Sequence, residues 1–418
     1  MFIFSVEKKF LMCYNVFDND RKERFIMRKN KIKCAALALT LAASLLLSAC
    51  EKTAFDTENT EDAQSADTPA AAADAVSVSA AASDDVKIRI DGTKFTVSGK
   101  EIWINGVNTP WDNWNDFGGD FDEAFWDEHF SKLHDAGINA SRVWINCNGQ
   151  TAIRLKSTGE VKEVNEKHWQ DLDKLFDIAE KHHIYLMPTF LSFDHFKDGN
   201  SGAEQWRLLV QDDTLIQSYI DKYVNVFMDR YADEPYLWAI DLMNEPDWVV
   251  ENAECGRIGW DKMSNFFAKV SAAIHEKSED TLVTVGLGMI KYNSDKFQGN
   301  MISDEHMKEL AGDKAYVDFY STHYYFWQNG SMGYPFEESP TDFGLDGTKP
   351  AVIGEFAVLS ESGRTVTQEY ENAFNNGWNG ALAWTSNGVD NCGGFDDLKP
   401  AADRMSEIAE DKIFPLGK

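Results

Sequence analysis

Residues 237–248 read Leu-Trp-Ala-Ile-Asp-Leu-Met-Asn-Glu-Pro-Asp-Trp. The stretch opens as an apolar run, Leu237 to Ile240, and ends in Asn244-Glu245-Pro246. Such a run suits a strand covered on both faces, as in a parallel sheet. Pro246 has no N–H for a ladder, so the strand stops there. Glu245 then stands on the strand's C-terminal lip beside a neutral amide. In a barrel of parallel strands, that lip is the catalytic rim. A surface glutamate capping the next helix would read the same way in isolation, so the surrounding pattern has to decide.

Strand-like and helix-like segments alternate on both sides of this stretch. Strands are predicted at 103–108, 139–145, 184–191, 237–243, 281–286, 318–324, 351–353 and 380–384. Helical spacing runs through 121–136, 169–182, 213–231, 260–275, 366–374 and 401–410. Alternation over that length implies an α/β chain folded as a single (β/α)8 TIM barrel with loop insertions, spanning 86–418. An open doubly wound sheet would carry a glycine-rich turn after its first strand, but here the turn is Asn108-Thr109-Pro110-Trp111. Residues 86–103 alternate around Asp91-Gly92-Thr93 as an N-terminal β-hairpin that can plug the barrel floor.

The N-terminal part has a different character. Arg28, Lys29, Lys31 and Lys33 precede an apolar run from Cys34 to Leu47, the pattern of a secretory signal peptide. Met27 is the better start for it than Met1. The run ends Leu47-Ser48-Ala49-Cys50, which looks like a bacterial lipoprotein box, with residues 1–49 removed and Cys50 carrying the lipid. Residues 51–85 are rich in Ala, Asp, Glu, Ser and Thr and cannot bury enough apolar surface to fold, so they read as a disordered, acidic tether. The protein is thus expected to be exported and anchored to the membrane through Cys50 alone.

The formal net charge is -29 and the pI about 4.6. A polyanion such as nucleic acid would be repelled, whereas a neutral substrate would be indifferent. Cys147, Cys255 and Cys392 remain after processing and allow at most one disulfide. No C-x-x-C pair is present, and neither a cofactor nor a structural metal is expected.

Polar residues gather at the predicted strand ends. Arg142 lies in the second strand, and Asn244 and Glu245 end the fourth. His323 and Tyr325 end the sixth, Glu355 ends the seventh in Val-Ile-Gly-Glu-Phe, and Trp384 ends the eighth. A closed barrel would bring them into one bowl. Two glutamates facing each other there suggest paired-carboxylate chemistry, one carboxyl protonated and the other ionised. Gly354 lets the backbone approach closely. Asn244 can hold a sugar hydroxyl, and Arg142 and Tyr325 can donate to Glu355 and keep it charged. Trp384 can floor a sugar ring, and Trp111, Trp114 and Trp327 offer further stacking faces.

Asn-Glu-Pro after strand four, His-x-Tyr after strand six, Gly-Glu-Phe after strand seven and a Trp after strand eight together resemble family 5 glycoside hydrolases, over roughly 86–412. The resemblance implies a retaining double displacement, with Glu245 as acid/base and Glu355 as nucleophile. It places Arg142, Asn244, His323, Tyr325 and Trp384 in supporting positions. Many cellulase-type members carry a His just after strand three. Here the sequence is Pro-Thr-Phe-Leu-Ser-Phe-Asp-His-Phe, and His195 comes late. That departure, and the opening Gly-Val-Asn-Thr-Pro-Trp-Asp-Asn-Trp, lean towards mannan hydrolases. The expected partner is a plant-type β-glycan, mannan or glucomannan, met by a monomer. An endo-β-1,4-glucanase of the same family and a non-catalytic carbohydrate-binding lipoprotein are the alternatives. A metal-dependent barrel hydrolase ranks lower, because His182-His183 precede strand three, at the wrong end.

Overall fold

The computed structural model describes residues 85–359 and 362–417. The signal segment, Cys50 and nearly all of the tether lie outside the described residues. The eight barrel strands are Ile104–Asn108, Ala140–Trp144, Tyr185–Ser192, Ala239–Asn244, Leu282–Leu287, Tyr320–His323, Ala351–Ala357 and Gly380–Trp384. They form one closed parallel barrel in chain order, the eighth pairing with the first from Gly380↔Ile104 to Trp384↔Asn108. The (β/α)8 expectation is met.

Period-two alternation divides each strand between two cores. One set of positions, including Val143, Leu186, Ile240, Val283 and Ile353, packs outward beneath the helices. The other set, including Ile104, Ala140, Met187, Ala239, Leu282 and Leu382, clusters with Ile88, Phe95 and Val97 of the N-terminal hairpin. That hairpin pairs Ile88–Asp91 with Lys94–Val97 around Gly92, and a two-residue third strand, Lys100–Glu101, extends it. Phe95 meets Trp238 and Phe319 edge-on at 5.5 and 5.2 Å. The floor is therefore apolar and closed. Two residues further along the same strands stand Arg142, Thr189, Asp241 and Thr284, all fully buried. The polarity of the barrel switches there from floor to rim.

The longer helices around the barrel include Glu123–Asp135, Glu166–Lys181, Asp213–Tyr219 continuing through a wide turn into Asn225–Tyr231, Trp260–Lys277, Asp304–Ala311, Val366–Asn375 and Phe395–Ile408. The helix Asp304–Ala311 was not expected from the sequence. It is eight residues long with one buried apolar side chain, Met307, so its period is weak. The helix Phe395–Ile408 starts six residues before the predicted 401 and carries Pro400 inside it, at the cost of one intrahelical hydrogen bond. Strand seven runs four residues past its predicted end and carries Glu355 inside the sheet, paired with His323.

Candidate active site

Arg142 lies at the centre of the bowl. Its guanidinium is fully buried and all five of its N–H groups are used. Nε and Nη2 donate to Asp241 Oδ2 at 2.9 and 2.6 Å, and Nη2 also donates to Asn244 Oδ1 at 2.9 Å. Nη1 donates to Glu355 Oε1 at 2.5 Å and to Asn108 Oδ1 at 3.2 Å. The plane stacks 4.1 Å from the Trp144 ring centre. A side chain of this size fits because Gly286 has none: a Cβ there would stand 2.8 Å from Arg142 Nη2 and 2.9 Å from His323 Nε2. Gly354 is also required, since a Cβ on it would sit 2.2 Å from Ser321 Oγ.

Glu245 ends strand four in the left-handed region, φ 48° and ψ 56°, and Pro246 opens the short helix Pro246–Glu251 directly after it. A non-glycine residue there costs on the order of 1–3 kcal/mol, and the hydrogen bond from its N–H to Gly286 O at 2.7 Å helps hold it. Glu245 stands at the N-cap position of that helix, but its side chain makes no cap hydrogen bond and faces the bowl instead. Trp248 Nε1 donates to its Oε2 at 3.1 Å, and His323 Nδ1 lies 3.2 Å from its Oε1. The same Nδ1 is 3.5 Å from Glu355 Oε2, and Tyr325 Oη donates to that oxygen at 2.9 Å. One oxygen of each glutamate and a ring nitrogen of His323 lie within 4.8 Å of one another.

The two carboxyls differ in their surroundings. Burial pushes Glu245 up to about 7, against the pull of Arg142 and the Trp248 hydrogen bond. Burial also raises Glu355, opposed by His323 and Arg142. The expectation that Arg142 and Tyr325 hold Glu355 low is therefore corrected: the donors are present, but burial outweighs them. Glu355 has a direct guanidinium partner and a phenol donor, while Glu245 has an indole. Burial lowers the His323 imidazole to about 4, leaving it neutral near neutral pH. Glu245, His323 and Glu355 come close enough to share an ion. The guanidinium beside Glu355 already supplies positive charge there and opposes a further cation.

The aromatic residues fall into two groups. Trp111, Trp144, Trp384 and Cys147 form one cluster, with Trp114 and Cys392 against it. Trp144 and Trp384 meet at 5.0 Å, and Trp111 and Trp114 at 4.6 Å. Trp111 and Trp384 are each only 8% exposed, so Trp114 offers the more open face. Trp327 lies in the other group, 6.4 Å from Trp248. Cys147 and Cys255 are buried, and Cys392 is half-buried. His195 is buried, hydrogen-bonded to the Ser192 backbone and packed edge-on against Trp206, apart from the two glutamates' hydrogen bonds. Asp241, Trp248, Trp144 and Asn108 belong to the site and were not anticipated. Asp241 did carry a signal, as a charged residue inside an apolar strand.

The model of the cellulase family, glycosyl hydrolase family 5, matches residues 95–390. The chain belongs to glycosyl hydrolase family 5. It is an O-glycosyl hydrolase. Among curated relatives, the mannan endo-1,4-β-mannosidase of Mytilus edulis is 26% identical over 333 residues, covering 72% of this chain and 89% of the relative. The enzyme of the same name from Cryptopygus antarcticus is 25% identical, covering 73% and 86%. Among solved structures, the β-1,4-mannanase of the sea hare Aplysia kurodai superposes with a TM-score of 0.69 at 27% identity, covering 78% of this chain and 98% of that one.

Proposed function

We propose that this family 5 hydrolase is a retaining endo-β-1,4-mannanase acting on mannan or glucomannan. The observation that carries the mechanism is the approach of the two carboxyls. Retaining glycosidases hold theirs about 5–5.5 Å apart, and inverting ones leave about 6.5–9.5 Å for a water. One oxygen of each glutamate lies within 4.8 Å of the other, which supports the first case. In the first step a Glu355 oxygen bonds to the anomeric carbon. The glycosidic C–O bond breaks, and the Glu245 proton goes to the leaving oxygen. In the second step Glu245, now a carboxylate, takes a proton from water. The water oxygen replaces Glu355 at the anomeric carbon, and both glutamates return to their starting states. Arg142 occupies the Asn244 carbonyl, leaving the amide N–H groups for a sugar hydroxyl.

The mannan assignment rests on the names of the relatives that align over most of the chain. A panel of purified β-glycans scored for new reducing ends tests it. Mannan and glucomannan should be cut internally and cellulose far more slowly; the reverse order would favour the endo-glucanase reading. Export and anchoring through a lipid on Cys50 are part of the same proposal and rest on Leu47-Ser48-Ala49-Cys50. Incorporation of labelled fatty acid in bacteria, abolished by Cys50→Ala, tests that part.

A further inference from the structure

Asp241 is a carboxylate surrounded entirely by donors. Oδ2 accepts from Arg142 Nε and Nη2 and from Thr189 Oγ1 at 3.0 Å. Oδ1 accepts from the N–H groups of Met243 at 3.2 Å and Gly286 at 2.9 Å. It is fully buried and does not bond to either glutamate. Its acceptors tie strand three, strand four and strand five to one guanidinium from strand two. Gly286 is also the residue whose carbonyl holds Glu245 N.

We propose that Asp241 is a positioning residue that acts on Glu355 and Asn244 through Arg142. Asp241 takes one whole edge of the guanidinium, Nε and Nη2. That fixes the plane so that the remaining N–H groups reach Asn244 and Glu355 and no others but Asn108. A fork held on one edge cannot rotate to chelate Glu355 with both nitrogens, so the carboxylate keeps one oxygen for the sugar and for Tyr325. Asp241 also offsets the positive charge that Glu355 feels. An uncompensated buried guanidinium would hold the nucleophile too firmly ionised and too weak a base. The other groups facing Glu355 are His323, Glu245 and Tyr325, with the Cys392 thiol beyond the phenol and Asp194 acting on Glu245. Of these, His323 also feels Asp241, whose charge raises it, so loss of that charge lowers the imidazole further and leaves it neutral.

The inference rests on the two-glutamate reading, so the experiment separates them. Wild-type enzyme is first treated with a slow fluorinated mannoside and the labelled peptide mapped. A label on Glu355 upholds the double displacement; a label elsewhere overturns that reading, whatever Asp241 does. Asp241→Asn and Asp241→Glu are then compared after thermal melting. D241N removes the charge, and kcat should fall by about ten- to a hundredfold with the acid limb of its pH profile moved to lower pH. D241E keeps the charge but shifts its position, so kcat should fall with the acid limb in its wild-type place. A folded D241N with a wild-type acid limb overturns the proposal. Loss of the fold in both variants also overturns it, by assigning Asp241 to the scaffold. If D241N alone fails to fold, D241E decides: a reduced kcat supports the proposal and a wild-type kcat overturns it.

Discussion

At the scale of single residues, the chemistry depends on two similar carboxyls made unlike by their neighbours. Glu355→Ala should lower kcat by at least about 10⁴-fold while the melting temperature stays within a few degrees, because Arg142 keeps Asp241, Asn108 and Asn244. Loss of folding would make Glu355 structural instead. The acid must be protonated to act, so activity should fall as pH rises through the value of about 7 to which burial lifts Glu245. The Trp248 indole stabilises the charged form of that carboxyl. Trp248→Phe should therefore move the basic limb to higher pH, and a limb that moves down or stays put would remove Trp248 from this role. Both glutamates could be read from the chain because each follows a short apolar run, beside Pro246 or Gly354. Asp241 and Trp248 were harder. The Arg142–Asp241 pair joins residues 99 apart, and neither local pattern nor spacing predicts which strands will face each other. Trp248 reaches Glu245 only because Pro246 starts a helical turn, which brings a side chain three residues on back over its cap.

At the scale of elements, the barrel separates stability from chemistry along each strand. The lower inner layer and the N-terminal hairpin are apolar, while the layer above holds the guanidinium network. Phe95→Ala should thus cost about 3–5 kcal/mol in denaturant unfolding, through lost burial and the cavity left behind, yet leave kcat/KM of the folded enzyme within about twofold. A large fall in kcat/KM with little loss of stability would tie the floor to the site and contradict that division. The barrel strands were legible as short apolar runs covered on both faces, and the hairpin as alternation around Gly92. The helix Asp304–Ala311 was not, because its one buried apolar residue gives no period. The length of strand seven was also hidden. The apolar run stops at Ile353, yet Gly354 and Glu355 both lie inside the sheet, where glycine makes room for Ser321 and His323.

At the scale of the whole molecule, a strongly acidic chain of the glycosyl hydrolase family is suited to a neutral polymer. Such a substrate feels no long-range field, so kcat/KM on mannan should change by less than about twofold between about 0.05 and about 0.5 M salt. A steep salt dependence would mean that charge takes part in recognition. The central claim, that Glu245 and Glu355 work as a close pair through a covalent intermediate, has one direct readout. Proton NMR of the first minutes of mannan-oligosaccharide cleavage, before mutarotation, reports the configuration of the newly freed anomeric carbon. The β-anomer should appear first and the α-anomer only later by equilibration; initial release of the α-anomer would contradict the double displacement.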